Sequence, residues 1–93
     1  MIFEEITLQT ENTLKKMMED ACKAKEEHIA NLFCNMAEGA KFLWLDLCQI
    51  MLRETKNRSK HIELSSKIHE QHLKFNDIVD NKKVPLLEKY YND

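Results

Sequence analysis

Two histidines stand three residues apart in the C-terminal half of the chain, at His69 and His72. On a helix, residues at this spacing project from adjacent turns of one face, so both imidazoles can reach one metal ion. Imidazole nitrogen suits zinc, copper and nickel. Because a metal site needs further ligands, Cys48, His28 or a second copy of the chain would have to complete it. The competing interpretation is that His72 is a neutral, hydrogen-bonded residue at the edge of the core.

The common catalytic motifs are absent from the sequence. A single glycine, Gly39, excludes the usual glycine-rich phosphate loops, and no Gly-x-Ser-x-Gly, His-Glu-x-x-His or Cys-x-x-Cys string occurs. The di-iron sites of helical bundles need Glu-x-x-His, and none of the four histidines has a carboxylate three residues before it. The three cysteines lie in or beside apolar stretches, where a thiol stays protonated. We therefore expect no catalytic activity, and no cofactor other than a transition metal bound through His69 and His72.

The composition predicts long helices. Of the 93 residues, 43% are hydrophobic and 32% are charged, but only one is glycine and one is proline. Tight turns depend on Gly, Pro, Asn and Asp, so a chain this poor in glycine and proline has few places to turn. We expect an all-α fold, with three long helices and a short C-terminal helix in an antiparallel bundle that homodimerisation completes.

The spacing of apolar residues predicts the helix boundaries within a single domain, residues 1–93. Residues 1–12 form an N-terminal segment whose structure the pattern does not define. The predicted helices are helix one at 13–38, helix two at 41–55, helix three at 59–80 and a short helix four at 85–92. Gly39 supplies the predicted break between helices one and two, the alternative being one continuous rod. Asn57 or Ser59 is expected to cap helix three.

Helix two is apolar around most of its circumference. Its polar stripe is narrow and consists of Asp46, Gln49, Arg53 and Lys56. A helix of this kind must be covered on several sides, and two other long helices can cover it only in part. We therefore predict that helix two forms a subunit interface, with contacts from Leu43, Trp44, Leu47, Ile50 and Met51.

Charge and hydropathy predict neither a nucleic-acid nor a membrane partner. The formal net charge is −2, and the basic turn at Arg53–Lys60 has no interleaved aromatic residues to stack on bases. The most apolar run, Phe42–Leu52, is about half the ~20 residues of a membrane span. The chain opens with acidic residues, unlike a signal peptide, and three widely spaced cysteines fit reduced thiols. We expect a cytoplasmic protein.

The expected function is a small, non-catalytic helical module for protein–protein interaction or regulation. Its expected partner is itself, as a homodimer through helix two, or another helical protein. The alternative function is a metal-binding helical bundle that uses His69 and His72 on helix three. A third hypothesis is a small inhibitor that binds one partner protein, since the size and fold class allow it.

Overall fold

The computed structural model describes residues 2–91, and over this range the chain is helical with no β-strand. The helices are α1 at Phe3–Lys23, α2 at Glu27–Glu54 and α3 at Arg58–Ile78. Each helix is joined to the next by three residues, so consecutive helices are antiparallel neighbours. The predicted all-α fold is confirmed. Position 1 of the predicted N-terminal segment and position 92 of the predicted helix four lie outside the described residues.

A row of buried residues on α2 packs against α1 and α3. It recurs every three or four positions, the spacing that keeps one face of a helix against a partner, and it consists of Ala30, Cys34, Ala37, Lys41, Trp44 and Cys48. We call this set the inner row. On α1 the buried residues are Leu14, Met18 and Ala21. The small side chains of Ala21 and Ala30 lie near the turn between the helices, where they allow close packing.

Trp44 joins the three helices at the other end of the inner row. Its side chain is 1% exposed. Its ring lies 4.8 Å from the Phe75 ring of α3 in an edge-on arrangement, and 6.4 Å from the Phe3 ring of α1. Edge-on aromatic pairs at this separation add about 0.5–1.5 kcal/mol beyond the burial of their area. The Trp44 cluster therefore fixes α3 against the α1–α2 hairpin.

The predicted break at Gly39 is wrong. α2 runs through Gly39 without interruption, and the chain reverses instead at 24–26, where Ala24 and Glu26 have extended backbone and no side-chain cap. None of these three residues is a type that marks a turn. Packing sets the position of the turn, because the inner row continues with unbroken spacing from Ala30 to Cys48 and α1 must cover it. The residues of predicted helix one, 13–38, therefore belong to the end of α1, the turn and the beginning of α2.

Of the other boundaries, those of α3 are close to the prediction, whereas α1 begins at Phe3 and so includes residues 3–12 of the predicted N-terminal segment. α3 begins at Arg58, and its predicted cap is confirmed because the Asn57 side chain accepts a 3.0 Å hydrogen bond from the Lys60 backbone N–H. In place of predicted helix four, at 85–92, the described part of that range has a 3₁₀ helix at Glu88–Tyr90, and another 3₁₀ helix, at Asn81–Lys83, precedes it. A segment of this length is too short to hold an α-helix by itself.

The C-terminal segment packs near the α1–α2 turn. Val84 and Leu87 are fully buried in the core. The Cys22 thiol contacts the Lys83 carbonyl at 3.7 Å, and the Tyr90 hydroxyl donates a hydrogen bond to the Glu27 carboxylate. α3 and this segment together cover one side of the α1–α2 hairpin.

Candidate protein interface

A second row of apolar residues runs along α2 beside the inner row. It consists of Ile29, Leu32, Met36, Leu43, Leu47 and Ile50, and we call it the outer row. Four of its members remain substantially exposed, namely Leu32 at 52%, Met36 at 43%, Leu43 at 60% and Ile50 at 41%. Single exposed apolar residues are common on proteins, but a row along one helix is typical of a contact surface.

The outer row lies away from α3. Leu43 and Leu47 line a shallow groove whose other wall is α1, through Gln9, Thr10 and Thr13. The contacts of α2 with α3 are made elsewhere, by Trp44 with Phe75 and by Lys41 with Asn76. One side of the hairpin is therefore covered by α3, and the other side presents the outer row.

The structure divides the predicted interface residues between the two rows. Leu43, Leu47 and Ile50 belong to the outer row, where a partner can reach them. Trp44 does not, because its side chain is already buried within the subunit. Met51 is partly buried and packs against the core. The structure therefore gives Trp44 and Met51 a place in the core of the subunit, and the interface itself stays a prediction.

The prediction also missed Ile29, Leu32 and Met36. These residues lie before Gly39, and the expected break there assigned them to a different helix. Once α2 is continuous from Glu27 to Glu54, the three extend the row made by Leu43, Leu47 and Ile50. The signal that could have found them is the regular spacing of three or four residues on both sides of Gly39.

The two histidines of the alternative hypothesis lie on α3. His69 is exposed, whereas His72 is partly buried with its ring 6.4 Å from the Trp44 ring. Within residues 2–91 no three His, Cys, Asp or Glu side chains are grouped so that they could hold a metal ion. Neither Cys48 nor His28, the candidate additional ligands, is therefore grouped with the two histidines. The metal site stays a prediction.

The buried cysteines have the environment of structural thiols. Burial raises the pKa of the Cys48 thiol to about 11 and also raises the pKa of Cys34. A thiol must lose its proton to act as a nucleophile or a strong metal ligand. At neutral pH both side chains are therefore neutral, apolar parts of the inner row.

No helix in residues 2–91 has the length and apolar character needed to cross a membrane. No protein-family model, no curated protein and no solved structure matches the chain.

Proposed function

We propose that this protein is a non-catalytic helical interaction module that forms a homodimer through the outer row of α2. The observation that carries the proposal is the row of four large apolar side chains that are 41–60% exposed on one side of one helix. Their contact with water is unfavourable, and contact with a second apolar surface relieves it.

The overall shape supports the proposal. The Cα envelope measures 49 × 27 × 15 Å, so the subunit is a thin slab, and its radius of gyration is 15.4 Å. A compact domain of this length would have a radius of gyration of about 12 Å. Because a slab has little interior, much of its apolar surface has to be covered from outside.

The surface area supports it quantitatively. The subunit exposes 6473 Å², whereas a monomeric protein of 11.1 kDa is expected to expose about 5,700 Å². The excess of roughly 800 Å² equals the share that one partner contributes to an interface of standard size. The broad face that carries the outer row is large enough for such an interface.

The energetics come from burial. Complete burial of a large apolar side chain contributes about 1.5–3 kcal/mol, so a residue that is half exposed gains about half of that on binding. The outer rows of two subunits would contribute several such increments, against an association cost of about 4–15 kcal/mol. The four exposed members in each of two subunits would contribute about 6–12 kcal/mol in total, which is of the same size as that cost. We therefore expect an association that the loss of a single member of the row weakens measurably.

Dimerisation through this side leaves α3 available. Because α3 lies on the other side of the hairpin, a dimer would present two copies of α3 to solvent or to further proteins. This arrangement suits a scaffold or regulatory role, in which the dimer fixes the distance between two identical surfaces.

The test is a charge placed in the outer row. Leu43→Asp is expected to give a folded monomer, because Leu43 is 60% exposed and its replacement leaves the core intact. The matched control is Ile62→Asp on α3, since Ile62 is 58% exposed but lies outside the outer row. Light scattering coupled to size exclusion gives the mass, and circular dichroism gives the helix content. A monomeric wild-type chain at tens of micromolar, or a Leu43→Asp variant as dimeric as the wild type, would overturn the proposal.

A further inference from the structure

Gly39 has no structural role within its own subunit. It lies in the interior of α2, it is exposed, and its φ is not positive, so the backbone there does not need glycine. A Cβ atom built at this position meets nothing within 4 Å. Glycine is the least favourable residue in a helix interior apart from proline. The subunit itself therefore gives no reason for glycine at the centre of an exposed apolar row, whereas a second helix that approached closely from outside would give one.

The outer row is symmetric about the Gly39–Ala40 pair. Counting outward in both directions, apolar residues occur at three, seven and ten positions from the pair: Met36 and Leu43, Leu32 and Leu47, and Ile29 and Ile50. In a two-fold symmetric contact each residue meets the counterpart of another, and the same contact is repeated in reverse. A row that has the same spacing in both directions fits an antiparallel copy of itself.

The charges at the two ends of α2 extend this symmetry. Glu26 and Arg53 both lie 13 positions from the Gly39–Ala40 pair, and Lys25 and Glu54 both lie 14 positions from it. All four side chains are exposed. In an antiparallel pair of α2 helices, Glu26 at the N-cap is level with Arg53 of the partner subunit, and Lys25, in the turn just before α2, lies at the same end as Glu54 of the partner subunit. The helix rises about 1.5 Å per residue, so the contact of Glu26 with Arg53 of the partner subunit is about 20 Å from the centre.

We propose that two copies of this chain pack α2 antiparallel against α2, with the two-fold axis at Gly39–Ala40. This inference rests on the homodimer proposed above. It adds that the two α2 helices run antiparallel, and it specifies which residues of one copy meet which residues of the other. Met36 meets Leu43 of the partner subunit, and Leu32 meets Leu47 of the partner subunit. With glycine and alanine at the crossing, the helix axes lie near the short end of the usual separation of about 8–10 Å.

The first test adds bulk at the crossing. Gly39→Leu is expected to weaken the dimer at least tenfold while the subunit stays folded, because the added side chain has open space within its own subunit. The matched control is Asn31→Leu, which places the same leucine side chain at an exposed position of α2 outside the outer row. Analytical ultracentrifugation measures the dissociation constants, and circular dichroism confirms helix content.

The second test uses the end charges. Lys25→Glu and Glu54→Lys each place like charges level with one another in a homodimer, so each variant alone should dimerise several-fold more weakly than the wild type. Mixed together, they restore opposite charges at both ends, and the heterodimer should form at close to wild-type affinity. Native mass spectrometry distinguishes the three species by mass.

The results separate the two proposals. Weakening by Gly39→Leu but not by Asn31→Leu, together with preferential heterodimer formation, supports the register. A wild-type dimer that tolerates Gly39→Leu, or a mixture with no preference for the heterodimer, would overturn the register and leave the homodimer standing. A wild-type chain that is monomeric would overturn both proposals and assign the outer row to a different protein.

Discussion

The indole N–H of Trp44 donates a 3.0 Å hydrogen bond to the hydroxyl of Thr7, so the largest side chain of the core is tied to the other helix of the hairpin by its one polar atom. A buried indole needs such a partner, since its N–H cannot reach water. The bond also sets the register of the hairpin, because it requires Thr7 to face Trp44 from across the helix pair.

We expect Thr7→Val to destabilise the protein by about 1–3 kcal/mol, because valine keeps the shape of threonine but leaves the indole N–H unpaired. Thr7→Ser keeps the hydroxyl and serves as the control. Urea unfolding at one fixed protein concentration measures both, since the stability of a dimer depends on concentration. Equal stability of Thr7→Val and the wild type would show that the bond contributes nothing.

Lys41 places a charge in the inner row. Its side chain is 7% exposed, its ammonium group donates a 2.7 Å hydrogen bond to the Asn76 side-chain oxygen, and it forms an ion pair with Glu38. We expect Lys41→Met to change the free energy of unfolding by less than about 1 kcal/mol, because removing a buried charge also removes its desolvation cost. Asn76→Ala should cost about 1–2 kcal/mol, because the ammonium group stays and loses an acceptor.

Thermal or urea unfolding measures the free energy of unfolding of both variants. If Lys41→Met is the more damaging of the two, the ammonium group contributes more to folding than its burial costs. That result would contradict the expectation that packing, and not the hydrogen bond from Lys41 to Asn76, holds α2 against α3 at this point.

The cysteines are expected to differ in reactivity. At pH 8 iodoacetamide should modify the exposed Cys22 in the native protein and spare the buried Cys34 and Cys48. Burial raises the pKa of Cys48 to about 11, so its thiolate is scarce at this pH, whereas all three should react in urea. Peptide mapping by mass spectrometry locates the modified residues. Modification of Cys48 at the rate of Cys22 would contradict the buried position.

The same shift predicts a loss of stability in base. The folded thiol of Cys48 holds its proton to a higher pH than the unfolded thiol, whose pKa is near 9. The contribution of this thiol to the free energy of unfolding is therefore constant below about pH 9. It should fall as the pH rises from about 9 to 11, by about 1.4 kcal/mol per pH unit at most. Cys48→Ala should flatten this part of the pH profile.

The alternative metal hypothesis has its own test. With only His69 and His72 on adjacent turns of α3, we expect zinc to bind weakly and to be removed by dialysis, because structural zinc sites use four ligands. His69→Ala should abolish what binding there is without loss of helix content. Elemental analysis that finds one zinc per chain after dialysis, lost in His69→Ala, would instead support a metal-binding bundle.

The fold class could be predicted because it depends on local composition. One glycine and one proline in 93 residues leave few turns, and the cap at Asn57 has a local signature that the structure confirms. The turn at 24–26 could not be predicted in the same way. Its residues favour a helix, and its position depends on how the apolar face of α1 meets that of α2, which is a property of residues far apart in the sequence.

The candidate interface could be predicted in part for the same reason. Leu43, Leu47 and Ile50 were found because α2 has more apolar surface than one core can use. The sequence pattern did not distinguish the side that Trp44 uses for the core from the side that Leu43 leaves exposed. That distinction depends on where α3 packs, and it becomes visible only with the contact between Trp44 and Phe75.

The turn at 24–26 has a consequence for how copies of this chain can associate. Ala24, Lys25 and Glu26 all have high helix propensity, so the reversal has no local support and depends on packing against the inner row. If that packing is weakened, α1 and α2 are free to straighten into one helix of about 50 residues, roughly 78 Å long. The inner row of such a chain can be covered only by the α1 of another molecule. The turn at 24–26 can therefore act as a hinge at which two copies exchange their α1 helices, which is domain swapping. A proline at position 25 would oppose this exchange, because proline does not fit in the interior of one continuous helix.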